Sequence, residues 1–282
     1  MQRPLLHPSS DSLLEAYLRA LPQAFIITGA QGAGTLSVAK YVSHVLGSPE
    51  EVIVPKKKTK DGKKFEIDIE NGRILTEDIR GLYESVRGKQ TTPRVFIIRR
   101  AERMMPNAQH ALLKLLEEPN ANVYFILETS SPEKLFTTVR SRAQTLTVLP
   151  ITDDQTEQYL DALQVTDATK RAQLRFIAAG LPDDLQKLVS DETYFATRAQ
   201  LMNDARQLLQ PDRYQRLLIV QKYQPSRESA LQLIDSVLQI ARRNISLKPQ
   251  HELVVLLDKL LVTKEQIASN HNVRLQLTQL VL

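Results

Sequence analysis

Short apolar runs alternate with helical patterns over the first 150 residues of the chain. Five runs rich in Val, Ile and Phe show little polar alternation, which is typical of strands buried on both faces. They span 24–28, 50–54, 94–98, 122–128 and 144–149. Between them apolar residues recur at helical spacing, as at Val38, Tyr41, Val42 and Val45 before a C-capping Gly47. The alternation predicts a mostly parallel sheet flanked by helices, with 64–69 as a candidate extra hairpin strand.

After Pro150 the pattern contains helices alone. Thr152 and Gln155 form a capping box, and two short helices follow, through Leu174 and Ile177 to a stop at Gly180–Pro182, then through Leu185 and Leu188. From about residue 192 the helices are longer, with breaks predicted near Pro211, Pro225, Pro249 and a second capping box at Thr263 and Gln266. The predicted fold class is α/β plus all-α, in three domains at 1–150, 151–191 and 192–282.

Composition excludes several classes of protein. The chain has 282 residues with 42% apolar and 24% charged side chains, which is ordinary for a soluble globular protein. No apolar run is long enough to span a bilayer, and the first residues lack the apolar core of a signal peptide. Without cysteine there are no disulfides or thiolate metal sites, which is compatible with a cytoplasmic protein. The five histidines show no metal-ligand spacing, so no metal is expected.

Positive charge is concentrated in the first half of the chain. Residues 1–150 hold 21 Lys/Arg and 16 Asp/Glu, whereas 151–282 hold 16 of each, so the first half carries the whole excess of +5. The segment 56–64, KKKTKDGKK, contributes six lysines against one aspartate. Such a run is usually a solvated loop. The alternative is sequence-independent attraction to nucleic-acid phosphates, but no aromatic residue is interleaved within the run as a stacking platform.

The segment 26–39, ITGAQGAGTLSVAK, resembles a phosphate-binding loop that lacks its functional residues. Gly29 and Gly34 have the spacing of G-x-x-x-x-G-K-[S/T], and Gly32 lies between them. Thr35 occupies the position of the lysine that neutralises phosphate, and Leu36 that of the hydroxyl that holds magnesium. A loop between strand and helix has the context of a phosphate site. The same glycines are equally compatible with simple packing.

The carboxylates of an ATPase are missing as well. ATPases of this architecture place an aspartate for magnesium and a glutamate for the attacking water at the end of a later buried strand. Here Arg99 and Arg100 follow that strand. The combined loss predicts that hydrolysis is absent, with residual nucleotide binding through the amides of 32–35 left open. Two alternatives remain for Arg99, Arg100 and Arg103: neutralisation by Glu102, Glu117 and Glu118, or occupation of the vacated magnesium position.

Residues 96–144 carry a specific resemblance. AQHALLKLLEEP at 108–119, followed by a strand and by Ser141, Arg142, Ala143 and Gln144, resembles the clamp-loader branch of the AAA+ superfamily. In that branch the two motifs read A-x-x-A-L-L-K-x-L-E-E-P and S-R-C. Among clamp-loader chains the sequence is most similar to the delta-prime subunits of bacterial DNA polymerase III, which keep the fold while their phosphate loop decays.

The resemblance implies a non-hydrolysing, stator-like subunit of a hetero-oligomeric clamp loader. Its partners would be gamma/tau ATPase subunits and a delta subunit, with sliding clamp and primed DNA engaged through the assembly, and no cofactor of its own. Arg142 would act in trans on the ATP of a neighbouring subunit, with Ser141 positioning the helix end. Spacing alone favours the alternative that Arg142 is a surface arginine that caps a helix C-terminus, and it is the surrounding motif that favours the role in trans. Lys114 or Gln109 would be a weaker candidate for contact with DNA or with the neighbouring subunit.

Three departures from the family affect what is expected. The four-cysteine zinc module is absent, so no zinc should bind. The S-R-C motif reads S-R-A, a change between small residues at Ala143. Asp184 lies where active relatives carry a nucleotide-sensing arginine. Three other functions remain as alternatives: a divergent active ATPase, a free-standing DNA-binding protein that uses the lysine run, and the clamp-gripping delta subunit, for which no exposed apolar clamp-binding element is evident.

Overall fold

The computed structural model describes residues 1–59, 64–86, 91–118, 120–210, 212–247 and 251–281. They form two compact units, Met1–Gln186 and Lys187–Leu282. The lysines at 60 and 63 and the prolines at 119, 211 and 249, which the sequence analysis singled out, lie outside the described residues. Within the described ranges no helix is both long and apolar enough to cross a membrane. The predicted boundary near residue 150 stays a prediction.

The first unit is built on a five-stranded parallel sheet and a separate two-stranded antiparallel one. The sheet order is β2-β5-β6-β1-β7, and β3 pairs with β4. The strands are Ala24–Gly29 (β1), Glu51–Ile53 (β2), Lys56–Lys58 (β3), Phe65–Ile67 (β4), Arg94–Ile98 (β5), Val123–Thr129 (β6) and Gln144–Val148 (β7). The predicted α/β class, the five parallel strands and the extra hairpin strand are confirmed.

Apolar residues on both faces explain why this sheet is parallel and covered. Successive residues of a strand point to opposite faces. Ile26 therefore joins one buried cluster while its neighbours Phe25 and Ile27 join the other. The helices of this unit are Pro8–Arg19 (α1), Thr35–Val45 (α2), Thr76–Ser85 (α3), Pro106–Glu117 (α4), Thr137–Arg140 (α5), Asp153–Ala162 (α6), Ala168–Ala178 (α7) and Pro182–Ser190 (α8), which crosses the boundary between the units. Helices α1 and α2 cover one face, and α3 and α4 cover the other.

Polar contacts join the residues that follow the last strand to one another and to the rest of the first unit. Thr152 and Gln155 form the predicted capping box at the start of α6, and the Gln155 side chain donates to the Leu6 carbonyl at 2.8 Å. The Ile151 amide donates to the Gly180 carbonyl at 2.8 Å. Gly180 has φ of +78°, and a Cβ there would lie 2.6 Å from the Ile151 carbonyl oxygen. This position therefore requires glycine.

The second unit consists of helices. They are Glu192–Leu208 (α9), Arg213–Tyr223 (α10), Arg227–Leu247 (α11), His251–Ala268 (α12) and Val273–Val281 (α13). The predicted break near Pro225 is confirmed, but the break at Thr263 is wrong because α12 runs through it. Leu260, Thr263 and Ile267 are buried and lie on one face of the helix, so apolar periodicity overrides the capping-box pattern.

A buried carboxylate organises one part of the second unit. Asp204 is 2% exposed and accepts hydrogen bonds from Tyr223 Oη at 2.9 Å and Gln200 Nε2 at 3.0 Å. Lys222 Nζ lies 3.5 Å from the same carboxylate. Burial, and then the hydrogen bond to Asp204, raise the pKa of the Tyr223 hydroxyl. A buried carboxylate needs hydrogen-bond partners, and Asp204 of α9 finds one of them, Tyr223, on α10. The cluster therefore links the two helices.

Two glycine substitutions provide a matched test of the fold. We expect Gly180→Ala to lower the free energy of unfolding by about 2 kcal/mol or more, since the left-handed backbone and the close carbonyl both oppose a Cβ. At Gly81 in α3 an added Cβ meets nothing within 4 Å, so Gly81→Ala should raise the free energy of unfolding by about 0.5–1 kcal/mol. Urea denaturation followed by circular dichroism measures both. Effects of the same sign would contradict the described backbone.

Candidate functional site

The glycine loop lies between β1 and α2 at the carboxyl end of the sheet. Gly32 and Gly34 have φ of +90° and +86°, and Gly34 is the N-cap of α2. A Cβ at Gly29 would lie 2.9 Å from the Val148 carbonyl oxygen of β7. The loop therefore has the strand-to-helix geometry from which phosphate sites are built, as its sequence predicted.

Thr35, at the lysine position of the loop, forms a hydrogen bond with the side chain of a glutamate. Thr35 Oγ1 donates to Glu128 Oε1 at 2.7 Å, and both residues are buried. Glu128 lies near the end of β6, and its second oxygen accepts from the Arg100 amide at 3.0 Å. Where a phosphate loop presents a cation, this chain presents a carboxylate. Leu36, at the magnesium-hydroxyl position, packs against the core instead.

The start of α8 covers the glycine loop with two acidic residues. The Asp183 amide donates to the Gly32 carbonyl at 3.0 Å, and Asp184 is buried against Gly32, 3.0 Å from where a Cβ would stand. The Asp183 carboxylate lies 3.5 Å from the corresponding position of Gly34. Desolvation raises the pKa of this carboxyl group. Negative charge thus lies against the part of the loop that holds anions in active relatives of the motif.

Arg100 is tied into a carboxylate network beside the loop. Its φ is +54°, and its guanidinium lies 3.1 Å from Glu102 and 3.6 Å from Glu70. Glu102 also accepts from Thr129 Oγ1 at 2.6 Å, which ties the pair to the end of β6. Of the two alternatives, this network supports partial neutralisation by Glu102. Glu117 pairs elsewhere, with Arg142.

A small cavity remains above the glycine loop. Its volume is about 320 Å³, and besides the loop it is lined by Lys40, Ile69, Glu70, Arg99, Arg100, Glu128, Ser130 and Asp183. Its three cations and three carboxylates cancel in formal charge. A triphosphate with its magnesium ion requires a net positive cradle for the phosphates and ligands for the metal. This lining supplies neither the net positive charge nor the metal ligands. Within the described residues no cluster of three or more His, Cys, Asp or Glu side chains could hold a metal ion.

Arg142 lies at the opposite end of the sheet from the glycine loop. It follows the short helix α5 and precedes β7, next to the start of β1, whereas the loop follows the end of β1. The five residue steps from Ala24 to Gly29 span about 17 Å of extended chain. Arg142 therefore cannot contact a ligand bound at the loop of its own chain.

Two contacts hold the Arg142 side chain, which is 37% exposed. Nη1 donates to the Thr138 carbonyl at 3.1 Å, and Nη2 lies 2.8 Å from Glu117 at the end of α4. The Ser141 hydroxyl donates to the same Thr138 carbonyl at 3.1 Å. A cavity of about 370 Å³ adjoins the arginine, lined by Pro22, Gln23, Ala24, Leu116, Phe125, Ser141, Arg142, Ala143 and Gln144. Ala143 faces this cavity and the core, which fits a tolerated packing change.

Gln109 has a structural task that its sequence motif did not reveal. It is 3% exposed, its Oε1 accepts from the Phe136 amide at 2.7 Å, and its Nε2 donates to the Lys134 carbonyl at 3.4 Å. Both ends of the amide are thus used to fix the segment before α5. This excludes the contact with DNA or a neighbouring subunit considered for Gln109. Lys114 is exposed.

The sequence reasoning missed Glu128 and Asp183. Glu128 ends the run VYFILE, and a charged residue at the end of an apolar strand was the available signal. Asp183 follows the Gly180–Pro182 turn, but nothing in the sequence relates it to a loop some 150 positions earlier. The structure brings Gly29, Gly32, Gly34 and Thr35 together with both carboxylates, and it separates this set from Ser141 and Arg142.

Comparison with known proteins shows what the first unit is similar to. Residues 15–152 match the family described as "DNA polymerase III, delta subunit". The DNA polymerase III subunit delta' of Bacillus subtilis is 30% identical over 142 residues, which cover 46% of this chain and 43% of the relative. The subunit tau/gamma of Haemophilus influenzae is 30% identical over 151 residues, 50% of this chain and 22% of the relative. The match thus spans less than half of either relative.

A solved structure supports the fold over nearly the whole chain. A DNA polymerase III gamma subunit-related protein from Thermotoga maritima aligns with a TM-score of 0.50 and 18% identity, covering 96% of this chain and 97% of that one. At this identity the likeness shows the fold alone. Together with the family match, it confirms the resemblance to clamp-loader AAA+ proteins that the motifs at 96–144 predicted.

Neutralising the two arginines after β5 tests the network beside the loop. We expect Arg100→Gln to lower the free energy of unfolding by about 2 kcal/mol, because it leaves the nearly buried Glu102 without its cation. Arg99→Gln is the control, since no carboxylate in the described ranges lies within ion-pair distance of Arg99. The double variant should melt like Arg100→Gln alone. An unchanged melting temperature in the double variant would contradict a structural role for these arginines.

Asp183 gives the protein a pH-dependent contribution to stability. Because desolvation raises its pKa in the folded state, the charged carboxylate destabilises the fold above that pKa, and the penalty is lost as pH falls toward the ordinary value of 3.8. Asp183→Asn should therefore raise the melting temperature at pH 8, with an advantage that shrinks on acidification.

The exposed Asp154, also in the first turn of a helix, is the matched control. Asp154→Asn removes a favourable interaction with the helix dipole, so it should not raise the melting temperature at pH 8. Equal effects of the two substitutions would refute the assignment of the penalty to desolvation of Asp183.

Proposed function

Since residues 15–152 match the family described as "DNA polymerase III, delta subunit" and the chain resembles the delta-prime subunit of bacterial DNA polymerase III, we propose that it is the non-hydrolysing, stator-like subunit of a clamp loader. In this role it joins gamma/tau ATPase subunits and a delta subunit in the cytoplasm. It supports ATP-driven loading of the sliding clamp onto primed DNA without catalysing a reaction at a site of its own.

The hydrogen bond from Thr35 to Glu128 is the observation that best supports the proposal that this chain does not hydrolyse ATP. It places a buried carboxylate beside the position where the lysine of an active loop meets phosphate. Asp183 adds a second carboxylate on the other side of the loop. Since like charges in a partly desolvated site repel strongly, both groups oppose a bound triphosphate. This argues against the alternative of a divergent active ATPase, which would require affinity of the isolated chain for Mg·ATP.

The location of Arg142 supports its action in trans. It is partly exposed, and it lies across the sheet from the glycine loop, so the ATP it can contact belongs to another chain. A guanidinium offers forked donors to the phosphoryl oxygens on which charge builds in the transition state, and such a group is worth about 10³–10⁵ in rate. In the unassembled chain Glu117 holds the arginine. Binding to a neighbour would exchange this carboxylate for phosphate.

The second unit is proposed as the part that joins the subunits into a ring. Several of its large apolar side chains are exposed in the isolated chain: Tyr214, Leu217 and Leu218 on α10, Val254, Val255, Leu261 and Val262 on α12, and Leu275 on α13. Exposed apolar residues on neighbouring helices are typical of an interaction surface. We keep the division into 1–150, 151–191 and 192–282 as AAA+ domain, lid and collar as part of this proposal.

Hydrolysis by a reconstituted loader tests the proposal. The cognate ATPase and delta subunits would be combined with this chain, and ATP hydrolysis stimulated by clamp and primed DNA would be compared between wild type and Arg142→Ala at matched assembly. We expect the variant to lose at least tenfold in the hydrolysis that depends on the adjacent site, because the charge stabilisation is removed while the ring stays intact.

Two further variants separate chemistry from structure. Arg140→Ala removes a nearby exposed cation and should leave the rate unchanged. Glu117→Gln releases Arg142 from its partner within the chain and should retain full hydrolysis. Equal rates for wild type and Arg142→Ala would reduce Arg142 to a helix cap, and failure of this chain to assemble with its partners would overturn the clamp-loader proposal itself.

A further inference from the structure

The β3–β4 hairpin presents two chemically different faces. Directly paired residues of an antiparallel ladder share a face, and the pairs here are Lys56 with Ile67, Lys57 with Glu66 and Lys58 with Phe65. The outer pairs lie on one face and the middle pair on the other, because side chains alternate along each strand. The face formed by Lys56, Lys58, Phe65 and Ile67 is called the Phe65 face.

On the opposite face one lysine lies between two carboxylates. Lys57 Nζ lies 2.9 Å from Asp68 and 3.5 Å from Glu66. Hydrogen bonding to Asp68 raises the pKa of Lys57, and the Asn71 amide, followed by Lys57, lowers the pKa of Asp68. These three side chains carry a formal charge of −1, so this set of groups does not attract a polyanion.

The Phe65 face is apolar and basic, and it is open to solvent. Phe65 is 50% exposed and Ile67 is 67% exposed. The Lys58 ammonium lies 5.9 Å from the centre of the Phe65 ring, and within the described residues no carboxylate lies within ion-pair distance of Lys58 or Lys64. Lys56 at the other end of the face pairs with Asp78 at 2.9 Å. The sequence pattern concealed this arrangement because Phe65 lies just beyond the lysine run and approaches it only through strand pairing.

We propose that the Phe65 face binds single-stranded DNA, with a base stacked on the Phe65 ring and a phosphate next to Lys58. Proteins that bind single strands without sequence preference combine an exposed aromatic ring with cations along the backbone path. The first half of the chain carries the whole positive excess, which complements a polyanion. An apolar protein partner would match Phe65 and Ile67 but would leave Lys58, which has no ion-pair partner among the described residues, without a counter-charge.

Fluorescence anisotropy of a labelled 20-nucleotide oligothymidylate, titrated with the full chain over a range of salt concentrations, tests the proposal. We expect Phe65→Ala to weaken binding roughly tenfold, since stacking on an aromatic ring contributes that much per base. Phe65→Leu keeps an apolar side chain without a π-face and should weaken binding nearly as much. Lys58→Gln should reduce the slope of log affinity against log salt by about 0.7.

Lys259→Gln, which removes one exposed lysine of α12 in the second unit, is the matched charge control and should bind like wild type. All variants should keep the wild-type melting temperature, because the side chains are exposed. Full affinity of Phe65→Leu, or tighter binding to a duplex than to the single strand, would overturn the stacking proposal. Absence of binding at low salt would overturn it as well. None of these results depends on assembly into a loader, so the outcome is independent of the function proposed above.

Discussion

Burial of the five-stranded sheet on both faces is the constraint on which the other features depend. Because alternate residues of β1, β5 and β6 enter two separate cores, neither the register nor the direction of these strands can change without exposing one set. Parallel strands then bring the glycine loop, Glu128 and Arg100 to the carboxyl edge, and the turn that carries Arg142 to the amino edge. The distance between the two candidate sites is thus a property of the sheet.

The carboxyl edge is stabilised by contacts that replace a ligand. In the described residues Thr35, Glu128 and the Arg100 amide form one chain of hydrogen bonds. Thr129 donates to Glu102, which forms an ion pair with the Arg100 guanidinium. The start of α8 closes the loop from the other side. The Thr35 hydroxyl, the Glu128 carboxylate and the Arg100 amide have their partners within the chain, so these contacts hold the loop without a ligand.

Local patterns in the sequence predicted most of the fold. The strands were visible because residues such as Phe25, Ile26 and Ile27 form continuous apolar runs, and the start of α6 because Thr152 and Gln155 cap it locally. Thr263 was misread because its capping pattern competes with an apolar stripe that only the packed helix reveals. The absence of the loop lysine was evident from the sequence. The hydrogen bond that Thr35, at the lysine position, makes to Glu128 was not, since that contact joins positions 93 residues apart. Pairing of Lys58 with Phe65 likewise required the hairpin register.

The bond between Thr35 and Glu128 also bears on how easily a phosphate site could arise at this loop by substitution. A single substitution that restored lysine at position 35 would place the new ammonium next to Glu128, and the ion pair formed there would compete with any phosphate for the same charge. Removing Glu128 first would leave the Thr35 hydroxyl and the Arg100 amide without their acceptor. Neither substitution alone is therefore expected to give a phosphate site: the first adds a lysine whose charge is already paired, and the second leaves two polar groups without their acceptor.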